Sequence, residues 1–206
     1  MGTWIELAID WVIARVQDWG YGGIFVMMTI ESSFVPFPSE VALIPAGYLA
    51  AQGEMNPAVA AGIGTLGSLL GAFINYGLAL WLGRPFVERV LRMVPGVSPA
   101  QLATSERFFA RHGEITIFVG RLIPAIRQLI SLPAGLVRMN LFRFTLYTGL
   151  GAGIWSAILV ALGFWAGGNE EAWRPLLRTA TVGLLLGAGG LIAGYVLLHR
   201  WGSRVA

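Results

Sequence analysis

Residues 115–139 read ITIFVGRLIPAIRQLISLPAGLVRM, and the fold turns on this stretch. It is as apolar as a membrane span, yet it carries Arg121 and Arg127 and is interrupted by Pro124 and Pro133. An arginine at mid-bilayer costs roughly 2.5–3.5 kcal/mol on insertion scales, so two without partners cost about 5–7 kcal/mol. Proline removes a backbone donor, and freed backbone groups are not tolerated facing lipid. The stretch therefore lines a polar cavity or packs against protein that supplies anions. On an unbroken helix, residues six apart stand about 120° from each other. A break at Pro124 lets both guanidinium groups turn toward one point.

The rest of the chain suits the same medium. Its 206 residues are 56% hydrophobic and 12% charged, with a mean hydropathy of +0.69. That composition belongs to integral membrane proteins. The pI of 9.8 invites a nucleic-acid reading, but the arginines are scattered among apolar spans, so no nucleic acid is expected. The absence of cysteine excludes disulfides, thiol catalysis and thiolate metal sites. Two histidines, His112 and His199, are too few for a histidine-rich centre, and neither a metal nor a cofactor is expected. Glu6 and Asp10 stand where a cleavable signal peptide would be basic.

Outward from the opening stretch, the chain divides into short and long apolar runs. Residues 1–19 mix Trp4, Trp11 and Trp19 with Glu6, Asp10, Arg15 and Asp18, the pattern of an amphipathic interfacial helix; a tilted first span is the alternative. Residues 21–30 are apolar but rise only about 15 Å as a helix, half of a ~30 Å hydrocarbon core. The polar break Glu31 to Glu40, containing Pro36 and Pro38, separates them from a second short arm at 41–53. Two short arms around a polar tip predict a re-entrant hairpin. Asn56-Pro57 opens a charge-free crossing over 57–83. The arginine-rich connection from Arg84 to Arg111 is expected on the cytoplasmic side. A second crossing is expected over about 144–168, and a last span over about 176–198.

A repeat underlies this order. Pro45-Ala46-Gly47 recurs as Pro133-Ala134-Gly135, and a long apolar crossing comes after each. A re-entrant hairpin does not cross whereas the span after it does, so the two hairpins enter from opposite sides. That is an inverted repeat, whose centre is the expected substrate site. Glu31 and Glu40 precede the first Pro-Ala-Gly; Arg121 and Arg127 precede the second. An acidic tip meets a basic tip.

Such charges are either structural glue or a switch. Buried pairs often add little net stability over an apolar alternative, whereas intramembrane ionisable residues are by default functional. Enzyme chemistry finds little support, since no histidine lies inside the apolar spans to serve as a base. Asn75 and Tyr76 read most simply as packing, and Trp155 and Trp165 as belt or core residues.

The motif set has a familiar counterpart. Glu31, four residues, then Pro36-Phe37-Pro38-Ser39-Glu40 and the first Pro-Ala-Gly form its first half. Its second half is Phe108-Phe109-Ala110-Arg111-His112-Gly113, Phe118, Gly120-Arg121, Pro124, Arg127, Pro133-Ala134-Gly135 and Met139. Together these closely resemble the DedA family of bacterial membrane proteins, within the SNARE-associated (VTT-domain) superfamily. The resemblance covers roughly residues 20–168. It implies two opposed re-entrant hairpins and a multi-pass protein of the bacterial inner membrane. Its members include translocases of undecaprenyl phosphate and of phosphatidylethanolamine, and eukaryotic relatives resemble lipid scramblases. The family's essential acidic positions match Glu31 and Glu40, its arginine pair matches Arg121 and Arg127, and its reported proton-motive-force dependence suits titratable glutamates.

The expectation is therefore an all-α polytopic membrane protein, with two opposed re-entrant hairpins in an inverted repeat, about three full transmembrane helices and interfacial helices. Residues 20–168 form the membrane domain, with repeats at 20–83 and 98–168, and 169–206 add a last helix and basic tail. Pro36, Pro38, Pro45, Gly47, Pro124, Pro133 and Gly135 shape the hairpins. Arg121 and Arg127 take a lipid phosphate, while Glu31 and Glu40 pair with them or take up protons. The expected function is non-enzymatic transport of an anionic lipid carrier, most simply a polyprenyl phosphate. A phospholipid flippase or scramblase and a non-transporting organiser of envelope assembly stay open, as does homo-oligomerisation.

Overall fold

The structure, a computed structural model, describes residues 18–33, 39–92, 109, 113–123 and 127–167. The expected interfacial helix before residue 18, the breaks at Pro36, Pro38 and Pro124, and the last span lie outside these residues. The described residues form six helices: α1 (18–32), α2 (Glu40–Ala51), α3 (Pro57–Arg92), α4 (113–121), α5 (Ser131–Leu136) and α6 (Leu141–Gly167). Two of them, Pro57–Val90 and Leu141–Gly167, are long and apolar enough to cross a membrane.

The helix α3 runs past the expected end of the crossing but turns there. Gly83 has φ 67° and ψ −165°, a conformation closed to side chains with a Cβ, and Pro85 begins a new axis two residues later. The expected crossing over 57–83 is thus the first segment of α3, and the stretch beyond the kink at Gly83 is its second segment. The second crossing starts at Leu141, three residues earlier than expected, because Asn140 caps it.

The sequence repeat extends to the caps. Asn56 Oδ1 accepts the backbone N–H groups of Ala58 and Val59 at 3.0 and 3.2 Å, and Asn140 Oδ1 accepts that of Arg143 at 3.2 Å. Side-chain capping of this kind satisfies donors that a helix start leaves orphaned. Just upstream, α2 and α5 end alike. Glu54 N–H donates to Leu49 O and Gly53 N–H to Ala50 O; Met139 N–H donates to Ala134 O and Arg138 N–H to Gly135 O. The residue at the turn is left-handed in both, Gly53 at φ 80° and Arg138 at φ 50°. Glycine takes that conformation without strain, so Arg138 is the costlier copy of the same cap.

Small residues show how the repeats pack. A methyl group added at Gly67 would strike Phe25 O and Met28 Cβ; added at Gly151, it would strike Phe118 O and Arg121 Cβ. So α1 lies on α3 as α4 lies on α6, each parallel to its crossing helix. The Pro-Ala-Gly glycines reach across instead. Gly47 abuts Val160 O and the Gly163 backbone of α6, while Gly135 abuts Tyr76 O and the Ala79 side chain of α3. The numbering shift is constant between Asn56 and Asn140, Gly67 and Gly151, Tyr76 and Val160, and Ala79 and Gly163. Each second arm is therefore exchanged onto the other repeat's crossing helix. Tyr21 Oη accepts the Asn56 N–H at 2.7 Å, which returns the end of α2 to the level where α1 begins. Since α2 runs antiparallel to α1 and parallel to α6, the crossing helices α3 and α6 are antiparallel. The two halves are related by inversion of direction.

Close backbone approach is what these glycines contribute. Gly163→Ala should therefore cost about 1–3 kcal/mol by overpacking against Ile44 and Gly47. Gly62→Ala, which meets nothing within 4 Å, should leave stability unchanged or slightly raised. Thermal unfolding of both variants in detergent checks this, and an unchanged melting temperature for Gly163→Ala would contradict the exchanged packing.

Candidate functional site

The ends of α1 and α4 and the starts of α2 and α5 meet near the middle of the crossing helices. There Glu31, Arg121 and Arg127 are 1%, 2% and 6% exposed. Charges so far from water persist only when paired and hydrogen-bonded. Arg127 has that support: its Nη2 donates to Glu31 Oε1 and, at 2.7 Å, to Ser39 Oγ. Its guanidinium also stands over the Trp155 ring, 5.2 Å from the centroid. Trp155 Nε1 donates to Ser39 Oγ at 3.1 Å, so tryptophan and arginine share one hydroxyl. The other oxygen of Glu31 accepts from Ser32 Oγ at 2.9 Å.

Arg121 is less well served. Its Nη2 donates to Ser131 Oγ at 3.0 Å, while its Nε, like that of Arg127, has no partner. Among the described residues no carboxylate forms an ion pair with it. Its place is fixed by packing, because Gly151 leaves room for its Cβ where any side chain would collide. Two guanidiniums and one carboxylate leave one positive charge in a buried centre. Glu31, Ser32, Ser68, Arg121, Arg127, Ala152 and Trp155 line a narrow cleft there. As it stands, the cleft has room for about one water molecule and not for a phosphate group.

Of the residues expected at the site, Glu31, Arg121 and Arg127 come together. Glu40 does not join them directly: it is half-buried in the first turn of α2 and makes no ion pair among the described residues. Pro45, Gly47, Pro133 and Gly135 are buried in α2 and α5, and Pro36, Pro38 and Pro124 lie outside the described residues. Reading by charge alone missed Ser39, Ser131 and Trp155. Trp155, read as a belt or core residue, is partly buried against the core and also lines the cleft.

Among the described residues, an all-helical scaffold, two apolar helices long enough to span and a buried charged centre fit a helical membrane protein. Residues 37–164 match the VTT domain. The chain belongs to that VTT-domain (DedA) family. An "Alkaline phosphatase-like protein" of Lactococcus lactis subsp. cremoris is 38% identical over 173 residues, covering 81% of this chain and 79% of its own. "Uncharacterized membrane protein YkoX" of Bacillus subtilis is 34% identical over 199 residues, 97% of this chain and 87% of its own. "Undecaprenyl phosphate transporter A" of Bacillus subtilis is 28% identical over 200 residues, 97% of this chain and 96% of its own. No solved structure matches the chain.

The pairing makes a stability prediction. Glu31→Ala strands Arg127 in the interior and should cost about 3–5 kcal/mol. Glu40→Ala removes a half-buried charge without an ion pair and should stay within about 0.5 kcal/mol of the parent. Melting temperatures of the two purified variants check the difference; equal losses would contradict it.

Proposed function

We propose that the protein carries an anionic lipid, most specifically a polyprenyl phosphate, across the bacterial cytoplasmic membrane. The observation that carries this reading is the excess buried cation: Arg121 and Arg127 line one cleft with a single carboxylate, Glu31, and only Arg127 is paired with it. A guanidinium fork matches phosphate geometry, and a lipid phosphate entering beside Arg121 supplies the missing negative charge. The relative named as an undecaprenyl phosphate transporter, aligned along nearly the whole of both chains, supports the same substrate class.

In this mechanism α1–α2 and α4–α5 are opposed re-entrant hairpins. At about 1.5 Å per residue the two arms of the first are roughly 22 and 18 Å long, short of a ~30 Å core, while α6 at roughly 40 Å spans it. The hairpin tips are closed by the Glu31–Arg127 pair. An arriving phosphate binds Arg121 and displaces Glu31 from Arg127, with Ser39 and Ser131 hydroxyls remaining as donors. The displaced carboxylate takes up a proton, which couples the step to a proton gradient. Because the closed cleft admits only water, phosphate entry requires the tips to separate, and the prenyl tail stays in the bilayer throughout. The protein acts as a carrier without hydrolysing its lipid.

Transport in proteoliposomes tests this, with a fluorescent short-chain polyprenyl phosphate and labelled phosphatidylethanolamine compared with and without a proton gradient. Selective movement of the polyprenyl phosphate, stimulated by the gradient and reduced at least about a hundredfold in Arg127→Ala, is expected. Equal movement of both lipids would replace the reading by a scramblase, and movement of neither by a structural role. Release of inorganic phosphate from the lipid would replace it by a hydrolase.

A further inference from the structure

Asn75 lies in α3 with no solvent exposure. Its amide nitrogen carries two hydrogens, and both are used: Nδ2 donates to Ser32 O at 3.2 Å and to Gln128 O at 2.9 Å. These carbonyls belong to the residues immediately after Glu31 and Arg127. The amide orientation is fixed by chemistry, because an oxygen in the nitrogen's place would face two carbonyl oxygens. The acceptor end, Oδ1, has no partner.

Packing alone does not call for this residue. The constant shift between the crossing helices places Leu159 of α6 where Asn75 stands in α3, and Leu159 is also buried, at 4% exposure. A leucine fills the equivalent space in the second repeat. An asparagine buried with one end unsatisfied is costly unless its donors matter.

We infer that Asn75 is a positioning residue that staples the two hairpin tips together, holding Glu31 and Arg127 in register through the backbone carbonyl next to each. It is not among the residues that line the cleft. It is the one crossing-helix side chain, among the described residues, hydrogen-bonded to both tips. Its two bonds must be given up, at least in part, when the tips separate, so it sets how readily the closed state opens. The inference rests on the ion pair and not on which lipid is moved, so its test stands apart from the transport assay.

The chain has no cysteine, so spin labels can be placed on introduced cysteines alone. Ile30 near one tip and Ile123 near the other are 43% and 40% exposed, and cysteines there report tip separation by pulsed electron resonance in nanodiscs. The parent should give a narrow distance distribution. Asn75→Leu, close in shape but without donors, should shift it to longer distances and broaden it, as should Glu31→Gln. The double variant should shift little further than either single one, because both remove the same restraint. A distribution for Asn75→Leu like that of the parent, or additive shifts in the double variant, would overturn the inference. Asn75→Ser, which is too short to reach both carbonyls, should give the same shift and serves if the leucine variant fails to insert.

Discussion

The buried bond between Glu31 and Arg127 is the constraint on which the rest of the structure depends. It joins the tip of the first hairpin to the tip of the second, at 1% and 6% exposure. A pair so placed costs a great deal to break on one side and contributes little net stability when whole. Everything around it serves to keep that cost contained: Ser32 on one carboxylate oxygen, Ser39 and the Trp155 face on the guanidinium, Asn75 on the backbone of both. Arg121 stands beside this network, with no carboxylate paired to it among the described residues.

The scaffold is symmetric and the chemistry is not. Caps, helix starts and glycine contacts recur in both halves with a constant shift. The same superposition places Met28 of α1 where Arg121 stands in α4, as the equivalent contacts of Gly67 and Gly151 show. Symmetry builds the container, and the charges distinguish its two tips. The Pro-Ala-Gly arms are exchanged between the halves: α2 packs on α6 and α5 on α3 through backbone contacts, so each second arm lies against the other repeat's crossing helix.

Much of this was legible in the sequence because lipid forbids so much. Two arginines and two prolines in an apolar run are incompatible with a simple span, and the repeated Pro-Ala-Gly disclosed the duplication. The pairing of α2 with α6 was not legible, since glycine and alanine signal close packing without naming the partner. Charge signs suggested that acidic and basic tips meet, but not that Glu31 alone makes the contact while Glu40 stands half-buried aside. The neutral members were hardest to see. Asn75 reads as packing and Trp155 as a belt or core residue, and Ser39 carries no charge to mark it, until the fold brings them to one place. Asn140, which repeats the cap of Asn56, was visible only once the shift between the crossings was known.

If Glu31 and a lipid phosphate compete for Arg127, removing the competitor's charge must strengthen the ligand. The direct measurement is the affinity of the purified protein for a short-chain polyprenyl phosphate, by calorimetric titration of the parent and of Glu31→Gln. The account predicts tighter binding by Glu31→Gln than by the parent. Equal or weaker binding would contradict it, and would return the pair to the role of a structural tie.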